Sequence, residues 1–222
     1  NEDDWGEQEE IILDGPPLRH NYINRSIKCA PEASARTEDN DGGFGYTMKD
    51  SAESDGPTYE WTDIASTGEK LLGFTSDGAQ GPFDIGFDFE FYETTYNQFY
   101  NGGDNGYITF GAGVSSRWTP YSIPSTLLGQ NAIVAGWFDG GFCTTQNPNS
   151  GVYYETVGED GERKLIIQMQ DQVYWSARQG TYYCSSGNSW ATNTITWQIV
   201  LNEGSNTIEL LYKDATGGSP YD

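Results

Sequence analysis

The chain has 222 residues, with 33 acidic against 11 basic side chains, a formal net charge of −22 and 14% aromatic residues. Such a charge repels nucleic acid and anionic lipid, and no apolar run reaches the roughly 18 residues a membrane-spanning helix needs. Abundant aromatic, Gly, Ser, Thr and Asn residues favour strands and turns over helices. No charged segment followed by an apolar stretch opens the chain, so a leader peptide is expected to be absent or already removed.

Residues 1–36 read as an extended acidic arm. Six of the first ten residues are acidic, and the apolar patch Ile11-Ile12-Leu13 and the break Pro16-Pro17 follow. Next comes Tyr22-Ile23-Asn24-Arg25-Ser26-Ile27-Lys28, which alternates loosely. The single histidine, His20, lies in the arm, and Asn24-Arg25-Ser26 is a three-residue match to a glycosylation acceptor. Residues 37–222 are read as the globular domain, beginning with a polar connection over residues 37–58.

From Tyr59 onward, strands are expected at 59–64, 70–74, 83–91, 98–100, 106–110, 132–138, 151–157, 164–170, 194–201 and 207–212. The strongest signal is Phe83, Ile85, Phe87, Phe89 and Phe91 at every second position, with polar residues or glycine between them. That period marks a strand with one buried and one wet face. Glu159-Asp160-Gly161-Glu162 and Asn202-Glu203-Gly204-Ser205-Asn206 are read as hairpin turns. A short helical turn is expected near Ser125–Leu128. Two sheets with apolar inner faces then make an all-β sandwich of about ten antiparallel strands with an extended N-terminal arm.

The three cysteines, Cys29, Cys143 and Cys184, include no CxxC or Cys/His pair, which argues against a structural zinc site. The loops holding Cys143 and Cys184 are expected to be joined by a disulfide, which presumes an oxidising compartment. Cys29 is then either free or a bridge to another chain.

Catalytic patterns are missing. A Ser-His-Asp triad needs a histidine against a nucleophile, whereas His20 lies in the arm and no GxSxG is present. The glycine-rich run Gly102-Gly103-Asp104-Asn105-Gly106 lies between strands and opens no helix, so it reads as a turn rather than a phosphate loop. Carboxylate pairs at glycosidase spacing arise by chance among 33 acids and carry no signal. The protein is therefore expected not to be an enzyme and to need no organic cofactor. Calcium is the one candidate ion. Asp39 and Asp41 sit in an oxygen-rich turn closed by Gly42, without the spacing of an EF-hand, and Asp77 and Asp104 are further loop carboxylates. The alternative is a solvated acidic loop. Trp118, Tyr121, Trp175 and Trp190 lie in long loops and are candidate stacking platforms for surface glycans, or else anchors that pack beneath those loops.

The blocks Tyr59–Ile64, GPFDIGFDFEFYETTYNQFY, NGYITFG, AIVAGWFD, GVYYET and WQIVLNEGSNTIELLYKDATGG, in this order, resemble the extracellular β-sandwich modules of large secreted and surface proteins of bacteria and archaea. The NGYITFG piece is similar to the strand core of nidogen-like domains. The resemblance covers roughly residues 44–218 and implies an extracellular or cell-surface module of structural or adhesive type. Such modules usually carry a further strand or two after the YKDATGG turn, and the 1–36 arm has no counterpart in them. The resemblance therefore implies an open sheet edge that an arm can fill by strand addition, as in donor-strand pilins. Three arrangements follow: donation to a neighbouring copy, which builds a filament of copies of itself; folding back onto the same sandwich; or a linker to further domains. The donor residues in the first reading are Ile11, Ile12, Leu13, Tyr22, Ile23 and Ile27, with Cys29 as a covalent lock. The competing class is a carbohydrate- or protein-binding accessory domain of a larger secreted protein.

Overall fold

The computed structural model describes residues 23–31, 46–72, 77–115, 128, 131–176, 181–182 and 194–214. Among the described residues, thirteen strands follow in chain order: β1 (Ile23–Pro31), β2 (Tyr46–Asp50), β3 (Glu69–Lys70), β4 (Gln80–Phe91), β5 (Thr94–Asn101), β6 (Tyr107–Thr109), β7 (Ala132–Val134), β8 (Gly140–Phe142), β9 (Gly151–Val157), β10 (Lys164–Ser176), β11 (Thr181–Tyr182), β12 (Ile195–Asn202) and β13 (Ile208–Asp214). They form two antiparallel sheets. The larger has nine strands in the order β2-β1-β13-β12-β10-β9-β3, with β8 and β11 also paired to β10; the smaller runs β4-β5-β6-β7. The all-β sandwich expected from the alternation is thus the fold observed.

The period-2 run is β4. Ile85, Phe87, Phe89 and Phe91 are buried, and the residues between them are exposed. They meet Phe99 and Ile108 of the smaller sheet and Val152, Leu165, Ile167, Met169, Trp197, Ile199 and Ile208 of the larger one in a single core. The rings stack obliquely, Phe89 on Phe110 at 6.0 Å and Phe83 on Tyr154 at 5.2 Å, the offset arrangement aromatic quadrupoles favour. Gly86 has φ +90°, and a Cβ there would lie 3.0 Å from the Thr156 side chain of the opposite sheet. The Thr156 hydroxyl donates to the Ile85 carbonyl at 2.7 Å, so the two sheets touch through a hydrogen bond where a larger residue has no room.

Both expected hairpin turns are present. β9 and β10 pair across residues 158–163, and β12 and β13 across 203–207. The Glu203 carboxylate joins these two turns. It takes a forked hydrogen bond from Arg163, with Nε to Oε2 at 2.8 Å, and backbone N–H bonds from Gly161 and Arg163. The Arg163 hydrogen bond, followed by the backbone N–H groups, holds the Glu203 carboxyl at about 2.

Three expectations are corrected. Residues 59–64 are not a strand. They cross the outer face of the larger sheet as an irregular strap over Tyr153, Ile166, Val200 and Leu211, with Ile64 buried among them. Side chains replace a ladder: the Ile64 N–H donates to Gln168 Oε1 at 3.1 Å, and Gln198 Nε2 donates to the Thr62 carbonyl at 2.7 Å. Secondly, the short strand read at 98–100 is the end of an eight-residue β5, joined to β4 by a two-residue turn at Tyr92-Glu93. Both turn residues have positive φ, 48° and 61°, as a type I′ turn requires, but neither is the Asn or Gly that usually signals one. Thirdly, β13 is not an open edge. β1 of the same chain pairs with it, and β2 lies beyond β1. The expected helical turn falls, apart from the buried Leu128, outside the described residues.

Candidate functional site

The seam between β1 and β13 is where the N-terminal segment meets the sandwich. Ile23 and Ile27 give β1 strand-favouring branched side chains, and Pro31, with no N–H to donate, ends it. The register sets Ile23 opposite Asp214, Arg25 opposite Tyr212, Ile27 opposite Leu210 and Cys29 opposite Ile208. In β13 the residues Ile208, Leu210 and Tyr212 belong to the inter-sheet core and Leu211 to the outer one. Directly paired residues share a face, so Ile23, Arg25, Ile27 and Cys29 take register positions on the inner side. Lys28 takes the outer side and forms an ion pair with Glu209 at 3.8 Å. Glu209, only 14% exposed, also accepts from Asn202 Nδ2 at 3.1 Å. The cation on β1 thereby answers a partly buried carboxylate on the sandwich.

On its other side β1 pairs with β2, Ile27 opposite Asp50 through Pro31 opposite Tyr46. β2 is the outermost strand, with Thr47, Met48 and Lys49 exposed. The Lys49 ammonium bonds the Asp55 carboxylate of the following turn, and that hydrogen bond raises the amine and lowers the acid. A short outer strand carrying a lysine is poorly suited to pair with further strands. The opposite edge, β3, is two residues long.

Of the residues singled out in the sequence, Ile23, Ile27, Asn24 and Cys29 lie in β1. Trp175 is near the end of β10, opposite Tyr182 of β11. Cys143 is buried and disulfide-bonded. Ile11, Ile12, Leu13, Tyr22, Asp39, Asp41, Trp118, Tyr121, Cys184 and Trp190 lie outside the described residues. Among the described residues, no group of three or more His, Cys, Asp or Glu side chains is placed to share a metal ion, and no helix is long and apolar enough to cross a membrane. The sequence reading missed Lys28 and Glu209 as partners. Their signal was faint: each shares its strand with other charges, Arg25 in β1 and Lys213 and Asp214 in β13, and the two stand 181 positions apart (209 less 28).

A family model described as NIDO related matches residues 49–221. No curated protein and no solved structure matches the chain.

Proposed function

Because the chain belongs to the NIDO-related family, we propose that it is a non-catalytic extracellular module of structural or adhesive type, and that its assembly contact is the pairing of β1 with β13. The observation that carries this reading is one of position. The matched region begins at residue 49, so β1 precedes it, yet β1 is an internal strand that covers β13. Without β1, the sandwich presents β13 as an unpaired edge. The strand that closes this edge is thus an addition to the family's core; residues 32–45 connect it in sequence to β2, with which it also pairs.

Fourteen residues extend to about 46 Å at roughly 3.3 Å each, enough to carry β1 out of its own sheet and into that of a second copy. The same register, the same Lys28–Glu209 pair and the same covering of β13 then recur between chains. Head-to-tail exchange of this kind does not close on itself and builds a filament. A charge of −22 on each copy opposes such association at low ionic strength, so salt or divalent ions favour it.

A cysteine pair across the seam tests where the strand goes. In Lys28→Cys/Glu209→Cys with Cys29→Ser, oxidation of concentrated protein should give a ladder of covalent oligomers on non-reducing gels at high salt. Only monomers carrying an internal bond, at every concentration and salt tested, would show that β1 stays in its own sheet.

A further inference from the structure

We propose that the turn at residues 101–105, together with Asp77, forms a calcium site in which the Asp77 and Asp104 carboxylates and the Asn105 carboxamide oxygen are ligands. The two segments are far apart in sequence and in contact in the fold. A Cβ at Gly103, where φ is +74°, would lie 3.0 Å from the Gly78 carbonyl oxygen. The Asp77 N–H donates to Asp104 Oδ1 at 3.3 Å, and Asn105 Nδ2 donates to Asp77 Oδ1 at 2.9 Å.

The independent pointer to a ligand is an orphaned oxygen. Asn105 is fully buried, and its Oδ1 has no hydrogen-bond partner. Its orientation is not open to a flip, because a carboxylate only accepts hydrogen bonds and the atom facing Asp77 must be the NH2. The unpaired atom is therefore an oxygen, on a buried side chain whose NH2 is bonded to the Asp77 carboxylate. A second buried oxygen without a partner, Asn101 Oδ1, belongs to the same turn. Its orientation is fixed in the same way by the Nδ2 bond to the Gly103 carbonyl at 2.8 Å. Buried acceptors that lack donors are rare in folded proteins, and a cation satisfies them.

Negative charge gathers at the same place. Asp104 is only 4% exposed. Asp139, between β7 and β8, adjoins Gly140, where a Cβ would lie 2.3 Å from the Asp104 carbonyl oxygen. A set of carboxylate and amide oxygens on irregular backbone suits calcium, which accepts six to eight oxygens in flexible geometry. Magnesium demands a tight octahedron and keeps its water. The ion would also tie the sheets together, because Gln172 Nε2 donates to the Asp104 carbonyl at 2.6 Å while Gln172 Oε1 accepts from Trp197 Nε1 at 2.8 Å in the core.

The test uses the full chain. Addition of about 1 mM calcium, the range in which extracellular modules bind it, should raise the melting temperature by several degrees over protein in EGTA. Terbium should bind with saturable luminescence sensitised by Tyr107 and Trp137, whose rings lie 6.5 Å apart beside the turn, and calcium should displace it. Asp77→Asn keeps an acceptor for Asn105 and should weaken calcium at least tenfold. Asp139→Asn, which removes a carboxylate beside the site that is not itself a ligand, should weaken it less and leave the melting temperature in EGTA unchanged or higher. Asp39→Asn/Asp41→Asn should change neither value. The proposal is overturned by the absence of both the melting shift and the terbium signal. It is equally overturned if both calcium responses survive unweakened in Asp77→Asn and Asp139→Asn, or vanish in Asp39→Asn/Asp41→Asn.

Discussion

The two faces of the larger sheet are buried by different means. The inner face meets the smaller sheet through aromatic and branched apolar side chains, and the polar atoms of Trp197 and Gln172 buried there are paired, Trp197 Nε1 with Gln172 Oε1 and Gln172 Nε2 with the Asp104 carbonyl. The outer face is covered by the 59–64 strap, which depends on the side chains of Gln168 and Gln198. That cover leaves Tyr59 Oη, Trp61 Nε1 and Gln198 Oε1 buried without partners. Apolar packing is non-directional and tolerates small misfits, whereas a half-satisfied polar network carries a desolvation cost for each missing bond. The inner contact therefore holds the fold, and the strap is the cover expected to open first.

The sharpest break in this contrast comes from Trp197→Ala. It empties the centre of the inner core and strands Gln172 Oε1, and urea unfolding should show a loss of about 3–5 kcal/mol. Gln168→Ala should cost about 1–3 kcal/mol, because the Ile64 N–H loses its acceptor in a buried site. Its more telling readout is hydrogen exchange. The Ile64 amide should exchange much faster in the variant while the amides of β12 keep their protection; equal loss in both places would mean that the two faces open together.

Acid should act through the hairpin turns rather than through either face. The Glu203 carboxyl is lowered from 4.5 to about 2 in the folded protein. Its contribution is therefore complete above the unfolded value and is lost as pH falls from about 4.5 to about 2. Thermal melts across that window should fall less steeply in Glu203→Gln than in the parent. The smallest effect is expected at the seam. Lys28 is 43% exposed, so Lys28→Ala should change stability by less than about 1 kcal/mol, and that change should disappear in high salt.

Legibility in the sequence follows the same division. The inner face was readable because alternation at Phe83–Phe91 and Ile195–Leu201 follows from the strand period itself. The strap was misread because Tyr59, Trp61 and Ile64 supply strand-like residues, and nothing local announces that their backbone bonds go to glutamines over 100 positions away. A clue did exist: Gln168 and Gln198 interrupt the apolar runs LIIQMQ and ITWQIV, and a glutamine at a buried strand position implies a polar partner across that face. The Tyr92-Glu93 turn was hidden because its residues are not those its backbone favours. The pairing of Asp77 with Asn105 was invisible because it depends on tertiary contact alone.

The register of the seam also has a mechanical consequence. Ile23 lies opposite Asp214, so the chain enters β1 and leaves β13 at the same end of the pair. Tension applied through the two flanking segments would load the bonds between these strands one after another, as a zipper is opened, rather than all at once in shear. A single copy anchored at both ends would yield under small force, starting at the Ile23 end and working toward Cys29.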